Sequence, residues 1–178
     1  MVEIVPYRPE WPVEFEALAL RLRSALEPGA RIEHVGSTAV PGLAAKDVLD
    51  VQVETDDPGA AARLLAAAGF VHENGFRDHV PPGATREGWD KEFLRAPDGE
   101  RPVHVHVRRF GAPNARYALL FRDYLRTHEA TATSYAELKR RLAALPIDRD
   151  AYSVIKDPAF DLIMVGAEDW AAATGWAP

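Results

Sequence analysis

A short segment between residues 34 and 53 combines a Gly-Ser turn with a lysine and an aspartate that can take part in phosphate chemistry. Gly36 lets the backbone approach a ligand closely, and the Ser37 hydroxyl adds a donor beside backbone N–H groups. Lys46 can neutralise anionic oxygens, and Asp50 can hold the divalent cation of a nucleoside triphosphate. The spacing is not that of a P-loop. On these residues alone, a phosphate cradle and an ordinary turn with a solvated lysine are equally good interpretations.

Two histidines alternate with valines in the segment VHVHV, residues 103–107. In a strand, His104 and His106 lie on one face and the valines on the other. Asp50 and Gln52 alternate with apolar residues in the same way. Either strand alone is typical of a half-solvated sheet, whereas two imidazoles and a carboxylate on such faces favour a functional site. Two ligands about 7 Å apart can bind one metal ion if a third converges on them.

Basic side chains in the C-terminal part form a further candidate group. Tyr135 and Lys139 are spaced i,i+4, as are Tyr152 and Lys156, so each pair shares a helix face. Arg122 lies in the segment FRDYLR beside a stripe of aromatic residues. Lysines that extend past packed tyrosines to solvent are the commoner arrangement. The alternative is that both lysines and the arginine form a basic wall over a triphosphate.

The elements that must position these residues follow from the apolar patterning. The sequence predicts, in chain order, a helix from Trp11, strands at 31–35 and 48–53, a helix from Pro58 to about Gly69, a hairpin of 89–95 and 102–108, and helices after Pro113. The last helix is predicted to begin at Asp157-Pro158, where aspartate can cap and proline can occupy the first turn. The segment 74–88 is rich in glycine and proline, and we expect it to be mobile or to face the substrate.

Length and composition restrict the class of protein. At 178 residues, positions 1–178 are expected to form a single domain. No segment approaches the roughly 20 apolar residues of a membrane span, and the N-terminus lacks a secretory signal. The absence of cysteine suits the cytoplasm, and the net charge of −6 argues against general nucleic-acid binding. A small phosphate-bearing ligand remains the expected partner, and no feature indicates an oligomeric state.

Several separate motifs together resemble one known family. The segments VPYRPEWPVEF, IEHVGSTAVPGLAAKDVLDV, VHVHV, FRDYLR and YAELKRRLA are similar to those of the GrpB-like family, which belongs to the nucleotidyltransferase superfamily with the polymerase-β-type fold. The resemblance runs from Val5 to Ile163. It implies an α/β (α+β) fold, namely a nucleotidyltransferase-type mixed sheet with helices on one face and a C-terminal helical part. It also implies that the Gly-Ser turn faces a nucleotide and that the following strand supplies acidic metal ligands.

The resemblance assigns roles to individual residues, with one departure. The Gly-Ser turn and Asp50 match the superfamily's positions. At the position of the second acidic ligand this sequence has the neutral Gln52, and the third carboxylate is replaced by His104 or His106. The expected cofactor is a divalent metal, either Mg²⁺ or Mn²⁺, or Zn²⁺ or another transition metal if the histidines are ligands. The set would hold Mg²⁺ poorly and would better suit a transition metal or no metal at all. The expected catalytic residues are Asp50 and Ser37. The expected phosphate ligands are Gly36, Ser37, Thr38, Lys46, Arg122, Lys139 and Lys156. The expected metal ligands are Asp50, His104 and His106.

Three functions fit these expectations. One is a nucleotidyltransferase-like protein that binds a nucleotide or another phosphate-bearing ligand and transfers a nucleotidyl group. The second is a non-catalytic module that binds such a ligand, and the third is a metal-dependent hydrolase that uses histidine and aspartate. The missing second carboxylate favours the module, whereas the dense polar set favours an enzyme. The interpretation leans towards nucleotidyl transfer.

Overall fold

Five strands form one mixed sheet in the computed structural model, which describes residues 2–75 and 77–178. The strands are β1 (Arg31–Val35), β2 (Leu49–Thr55), β3 (Val71–His72), β4 (Glu92–Arg95) and β5 (Val103–Arg109), and the helices are α1 (Glu10–Ala25), α2 (Pro58–Ala67), α3 (Pro113–Thr127), α4 (Glu129–Ala143) and α5 (Arg149–Thr174). A short 3-10 turn, Ser37–Ala39, lies between β1 and β2. The predicted loop 74–88 includes Phe76, which is outside the described residues.

The order of the strands is β1-β2-β5-β4-β3. Only the β2–β5 pair is parallel, and its register places Asp50 opposite His104 and Gln52 opposite His106. The other pairs are antiparallel, including the predicted hairpin of β4 and β5. The mixed sheet that the resemblance implied is therefore confirmed, and it brings the two polar strand patterns side by side.

One face of the sheet is apolar and is covered by α1 and α2. The alternating residues of β2 and β5 pack there against aromatic and aliphatic side chains of the two helices. This core contains, among others, Trp11, Phe15, Leu22, Leu65, Val51, Val53, Val105 and Val107. Asp57 caps α2 by accepting a hydrogen bond of 2.9 Å from the N–H of Ala60, and Pro58 follows at the first helical position. The predicted alternation of the two strands is confirmed.

The C-terminal helices α3, α4 and α5 form a second layer on the polar side of the sheet. Their shared core includes Val40, Leu43, Leu120, Phe121, Tyr135, Met164 and Ala167. The segment between the 3-10 turn and β2 belongs to this core, so it lies between the sheet and the helices. The predicted C-terminal helical part is therefore confirmed. None of the described helices combines the length and the apolar character that crossing a membrane requires.

The start predicted for the last helix is wrong. α5 runs without a break from residue 149 to 174 and contains Pro158 in its interior. Its cap is Asp148, which accepts a hydrogen bond of 2.8 Å from the N–H of Ala151. Proline removes one helical hydrogen bond, but Tyr152 before it and Met164 after it are both buried. We attribute the continuity of α5 to this packing on both sides of the proline.

Candidate functional site

The Gly-Ser turn is packed directly against the Asp50 carboxylate. Gly36 has a φ of +70°, and a Cβ atom at this position would lie 2.5 Å from Asp50 Oδ2. Both the backbone conformation and the lack of space therefore require glycine. The following residue, Ser37, begins the 3-10 turn and is partly exposed.

Asp50, His104 and His106 form a cluster on the polar face of the sheet. Asp50 Oδ1 lies 3.2 Å from His104 Nδ1 and 3.4 Å from His106 Nε2, and one ligand atom from each residue falls within 4.8 Å of the other two. Burial alone would raise the pKa of Asp50, but the hydrogen bonds with both imidazoles outweigh it and hold the pKa well below its usual range. Asp50 is therefore a carboxylate at neutral pH. The three residues expected to bind metal do lie together.

The second nitrogen of His106 is occupied by a residue that sequence reasoning missed. Lys91 Nζ lies 3.1 Å from His106 Nδ1 and 2.6 Å from Asp78 Oδ1. An ammonium group can only donate, so Nδ1 accepts and the ring proton lies on Nε2, where it faces Asp50. Burial, followed by the charge of Lys91, lowers the pKa of His106 to about 4. The imidazole is thus neutral, and its Nε2 is a donor to Asp50 rather than a lone pair directed at a metal.

Gln52 is inaccessible to solvent, although it shares a strand face with the partly exposed Asp50. It is fully buried. Its Oε1 accepts a hydrogen bond of 2.6 Å from Arg108, and its amide donates to Glu54 at 3.1 Å and to the carbonyl of Ala115 at 3.3 Å. The expectation that Gln52 stands in for a metal-binding carboxylate is therefore not supported by its position. It belongs to a closed network beneath α3.

The same network ties the loop after β3 to the sheet. Asp78 accepts hydrogen bonds from Arg108 at 2.9 and 3.1 Å and from Asn114 at 3.0 Å, in addition to the contact with Lys91. Burial raises the pKa of Asp78, but the charge and hydrogen bonds of Arg108 lower it far more. One signal in the sequence could have revealed part of this network, because Arg108 continues the alternation of His104 and His106 on the same face of β5.

Lys139 joins α4 to the Gly-Ser turn. Its Nζ lies 2.9 Å from Ser37 Oγ and also donates to the carbonyl of Ala44. The residue is only 3% exposed. Burial and then the charge of Lys156 lower the pKa of Lys139 to about 7. Burial raises the pKa of the neighbouring Tyr135 hydroxyl well above its usual range.

Each of three lysines around this turn lies over an aromatic ring. Lys46 Nζ is 4.2 Å from the centroid of Tyr152, Lys139 Nζ is 4.6 Å from Tyr135, and Lys156 Nζ is 3.8 Å from Phe160. Such contacts stabilise a desolvated ammonium group, although burial still lowers the pKa of Lys156 to about 8. We call Lys46, Lys139 and Lys156 the lysine cluster. The charges of all three and that of Asp50 act on one another.

Two residues expected to bind phosphate are engaged elsewhere. Arg122 donates to Glu33 at 2.8 Å, to Asp123 at 2.7 Å and to the carbonyl of His34 at 3.0 Å. Thr38 is buried, and its Oγ1 lies 3.0 Å from His34 Nε2. The structure thus brings the lysine cluster together with the Gly-Ser turn and Asp50, and it places the side chains of Arg122 and Thr38 against protein partners.

The comparisons with known proteins agree with this architecture. The family model described as GrpB protein matches residues 1–165. The chain belongs to the GrpB family. A crystal structure of conserved protein GrpB from Enterococcus faecalis superposes with a TM-score of 0.78 at 32% identity, covering 94% of this chain and 99% of that one. The resemblance found in the sequence motifs is therefore confirmed.

Curated relatives of this GrpB-family chain include longer proteins. A UPF0157 protein of Pseudomonas aeruginosa is 41% identical over 158 residues, which cover 88% of this chain and 63% of the relative. A dephospho-CoA kinase of Mycolicibacterium paratuberculosis is 38% identical over 197 residues, which cover 99% of this chain and 48% of the relative. The chain thus spans about half the length of this kinase relative.

Proposed function

We propose that this GrpB-family protein binds a nucleotide or another phosphate-bearing small molecule in the cleft between the polar face of the sheet and helices α4 and α5. The observation that supports this proposal most strongly is the lysine cluster. Three lysine side chains and the Ser37 hydroxyl lie near two carboxylates, Asp50 and Asp157. Burial is the main cause of the lowered pKa values of Lys139 and Lys156, and the charge of neighbouring lysines lowers both further. Anionic oxygens would balance that charge.

Asp50, His104 and His106 are the residues that would hold a divalent metal in this cleft. One carboxylate and two imidazoles suit Zn²⁺ or another transition metal, and they do not fit the pair of Mg²⁺ ions used in two-metal phosphoryl transfer. The Nε2 proton of His106 and the nearby lysines oppose any cation further. We therefore place the ligand's charge on the lysine cluster, and we rank a metal-dependent hydrolase below phosphate binding.

Calorimetry and thermal unfolding with a panel of phosphates test the proposal. The panel contains the four ribonucleoside triphosphates, pyrophosphate and dephospho-CoA, which appears in the name of several relatives. Each is measured alone and with Mg²⁺, Mn²⁺ or Zn²⁺. We expect at least one compound to raise the midpoint of unfolding, by an amount that grows with the logarithm of its concentration relative to its Kd. A panel in which no compound binds would contradict the proposal.

The variant Asp50→Asn separates metal-dependent transfer from binding through lysines. If a metal on Asp50 carries the ligand, the variant loses affinity. If the lysine cluster carries it, affinity is kept or improves, because a negative charge near the phosphates has been removed. We expect the second result. Asp169→Asn on the exposed side of α5 changes the net charge equally and serves as the control.

A further inference from the structure

The contact between Ser37 and Lys139 has the geometry of a nucleophile and its general base. Ser37 Oγ and Lys139 Nζ are 2.9 Å apart, within the range that proton transfer requires. The carbonyl of Ala44 accepts one proton of the amine, which orients the nitrogen towards the serine. Lys139 on α4 thus positions the hydroxyl, and Ser37 is itself partly exposed.

The surroundings of Lys139 favour its neutral form. Burial is the largest cause of its lowered pKa of about 7, and Lys156 on α5, Arg140 on α4 and Lys46 before β2 lower it further. Asp50 on β2 is the carboxylate that acts in the opposite direction. A substantial fraction of Lys139 is therefore unprotonated at neutral pH and has a lone pair that can accept the serine proton.

We propose that Ser37, with Lys139 as its base, takes a phosphoryl or nucleotidyl group from a phosphoanhydride bound in the cleft and forms a covalent phosphoester. This inference rests on the proposed function, since it requires the phosphate-bearing ligand to bind at the lysine cluster. It goes further by naming a reactive class of ligand and a nucleophile of the protein itself.

The step can be written with every bond and proton assigned. Ser37 Oγ forms a bond to a phosphorus of the anhydride while its proton passes to Lys139 Nζ. The bond from that phosphorus to the bridging oxygen breaks, and the electron pair leaves with the released phosphate, pyrophosphate or nucleoside diphosphate. Water or an acceptor hydroxyl then attacks the same phosphorus, and its proton passes to bulk solvent, because Lys139 already holds the serine proton. The Ser37 Oγ–P bond breaks, and Ser37 recovers its proton from Lys139.

The charge around Ser37 favours phosphorus over carbon as the centre attacked. Acyl transfer develops a single negative charge on one oxygen, which neutral donors can stabilise. A phosphoanhydride has several negative oxygens, and Lys46 and Lys156 supply positive charge close enough to the serine's base to lower its pKa. The lysine cluster thus matches a polyphosphate better than an ester.

Labelling of the full-length chain tests the proposal. The protein is incubated with ribonucleoside triphosphates that contain ³²P in either the α or the γ position, and the labelled peptide is identified by mass spectrometry. We expect label on the peptide that contains Ser37. Label from the α position identifies nucleotidyl transfer, and label from the γ position identifies phosphoryl transfer. Ser37→Ala should remove the label, whereas Ser134→Ala, an exposed serine on the same helix as Lys139, should retain it.

Lys139→Arg separates the base from the positive charge. Arginine remains protonated in proteins, so the variant keeps a cation for ligand binding but has no base. We expect the rate of labelling to fall about 10²–10⁴-fold while the nucleotide still binds in calorimetry. Equal labelling rates in the variant and the wild type would overturn the assignment of Lys139.

Sulfonylation by an aryl sulfonyl fluoride gives a measurement that needs neither a nucleotide nor a variant. The rate at Ser37 should rise with pH through a midpoint near 7, because only unprotonated Lys139 accepts the proton. A rate that stays flat through this pH range would contradict the proposal. If nucleotides bind but Ser37 acquires no label, the nucleophile is refuted and the proposed function stands. If no phosphate compound binds, the proposed function itself fails, and the covalent step fails with it.

Discussion

The two ends of the polar face of β2 and β5 have opposite characters, although they are made by the same alternation. At one end Gln52 and Arg108 are buried, and their hydrogen bonds are satisfied by Asp78, Glu54 and the backbone of α3. At the other end the side chain of Asp50 is 28% exposed and lies beside the lysine cluster. The first end is closed and, apart from Asn114 Oδ1, internally paired, whereas the second is open and combines three lysines with the carboxylates of Asp50 and Asp157.

This difference teaches that a polar strand face becomes a candidate site only where the covering helix leaves it accessible. Asn114 and Ala115 at the start of α3 extend the network of the closed end, in which the buried Asn114 Oδ1 has no hydrogen-bond partner. The Gly-Ser turn takes the corresponding place at the open end, and its Gly36 leaves room for the Asp50 carboxylate. The closed end therefore stabilises the fold, and the open end is available to a ligand.

Breaking the closed end should cause the largest change. Arg108→Ala leaves the Asp78 carboxylate and the Gln52 carbonyl without their shared partner, and we expect the free energy of unfolding to fall by about 3–5 kcal/mol. Urea denaturation measures it. The control is Arg116→Ala, which removes an exposed ion pair with Glu168 and should cost about 0–1 kcal/mol. Similar losses in both variants would contradict the distinction between the two ends.

Removing a cation from the open end should affect binding rather than stability. Lys46→Ala should weaken the binding of a nucleotide or pyrophosphate by about 1.5–3 kcal/mol if the contact is direct and charge-assisted. Isothermal calorimetry measures the affinity, and thermal unfolding of the free protein should change little. Arg63→Ala changes the net charge equally on an exposed position of α2 and should bind as the wild type does. Unchanged affinity in Lys46→Ala would argue decisively against the lysine cluster.

A carboxylate at position 52 should destabilise the closed end instead of creating a metal ligand. In Gln52→Glu the donor to Glu54 and to the Ala115 carbonyl is lost, and negative oxygens face two acceptors. We expect a loss of about 1–3 kcal/mol in unfolding free energy and no gain in Mg²⁺ affinity. The double variant Gln52→Glu/Glu54→Gln should recover part of the loss. Tighter Mg²⁺ binding by the single variant would instead place residue 52 in the cleft.

The smallest effect is the pH dependence of anion binding at the open end. Sulfate keeps its charge near neutral pH, whereas Lys139 and Lys156 gain protons as the pH falls through about 8 and then about 7. Sulfate affinity should therefore rise several-fold between about pH 8.5 and pH 6.5, by roughly 1 kcal/mol. Calorimetry in matched buffers measures it, and Lys139→Met should weaken the dependence. An affinity independent of pH in the wild type would contradict protonation at these lysines.

The free energy of unfolding of the ligand-free protein should rise with pH, whereas the sulfate affinity should fall with pH. The pKa of Lys139 is about 7 in the folded chain, against 10.5 for an ordinary lysine. The unfolded chain therefore binds more protons than the folded chain between these values, and the free energy of unfolding rises with pH across this window. Bound sulfate should reduce that slope, because it favours the protonated folded form. Urea denaturation at several pH values, with and without sulfate, measures both effects.

Local patterns in the sequence were sufficient for the elements and for part of the site. The alternation in VHVHV and in LDVQV predicted which side chains share a face, because successive residues of any strand point to opposite sides. The Gly-Ser turn and the family motifs predicted the mixed sheet and brought Asp50, His104 and His106 into one hypothesis. The start of α5 was mispredicted because a proline signal was given more weight than the packing that continues the helix on both sides of it.

Tertiary structure alone decided which polar residues are accessible and which are paired. Gln52 and Asp50 look alike in the strand pattern, and only the docking of α3 buries one and leaves the other open. The contact between Ser37 and Lys139 joins residues 102 positions apart, and that of Lys91 with His106 depends on how β4 pairs with β5. Burial and neighbouring charge, which set the pKa of each group, exist only once these distant segments have packed. The sequence by itself determined the types of group present and the strand faces they occupy. The packing of the helices determined which of those groups stay accessible to a ligand and which are paired within the protein.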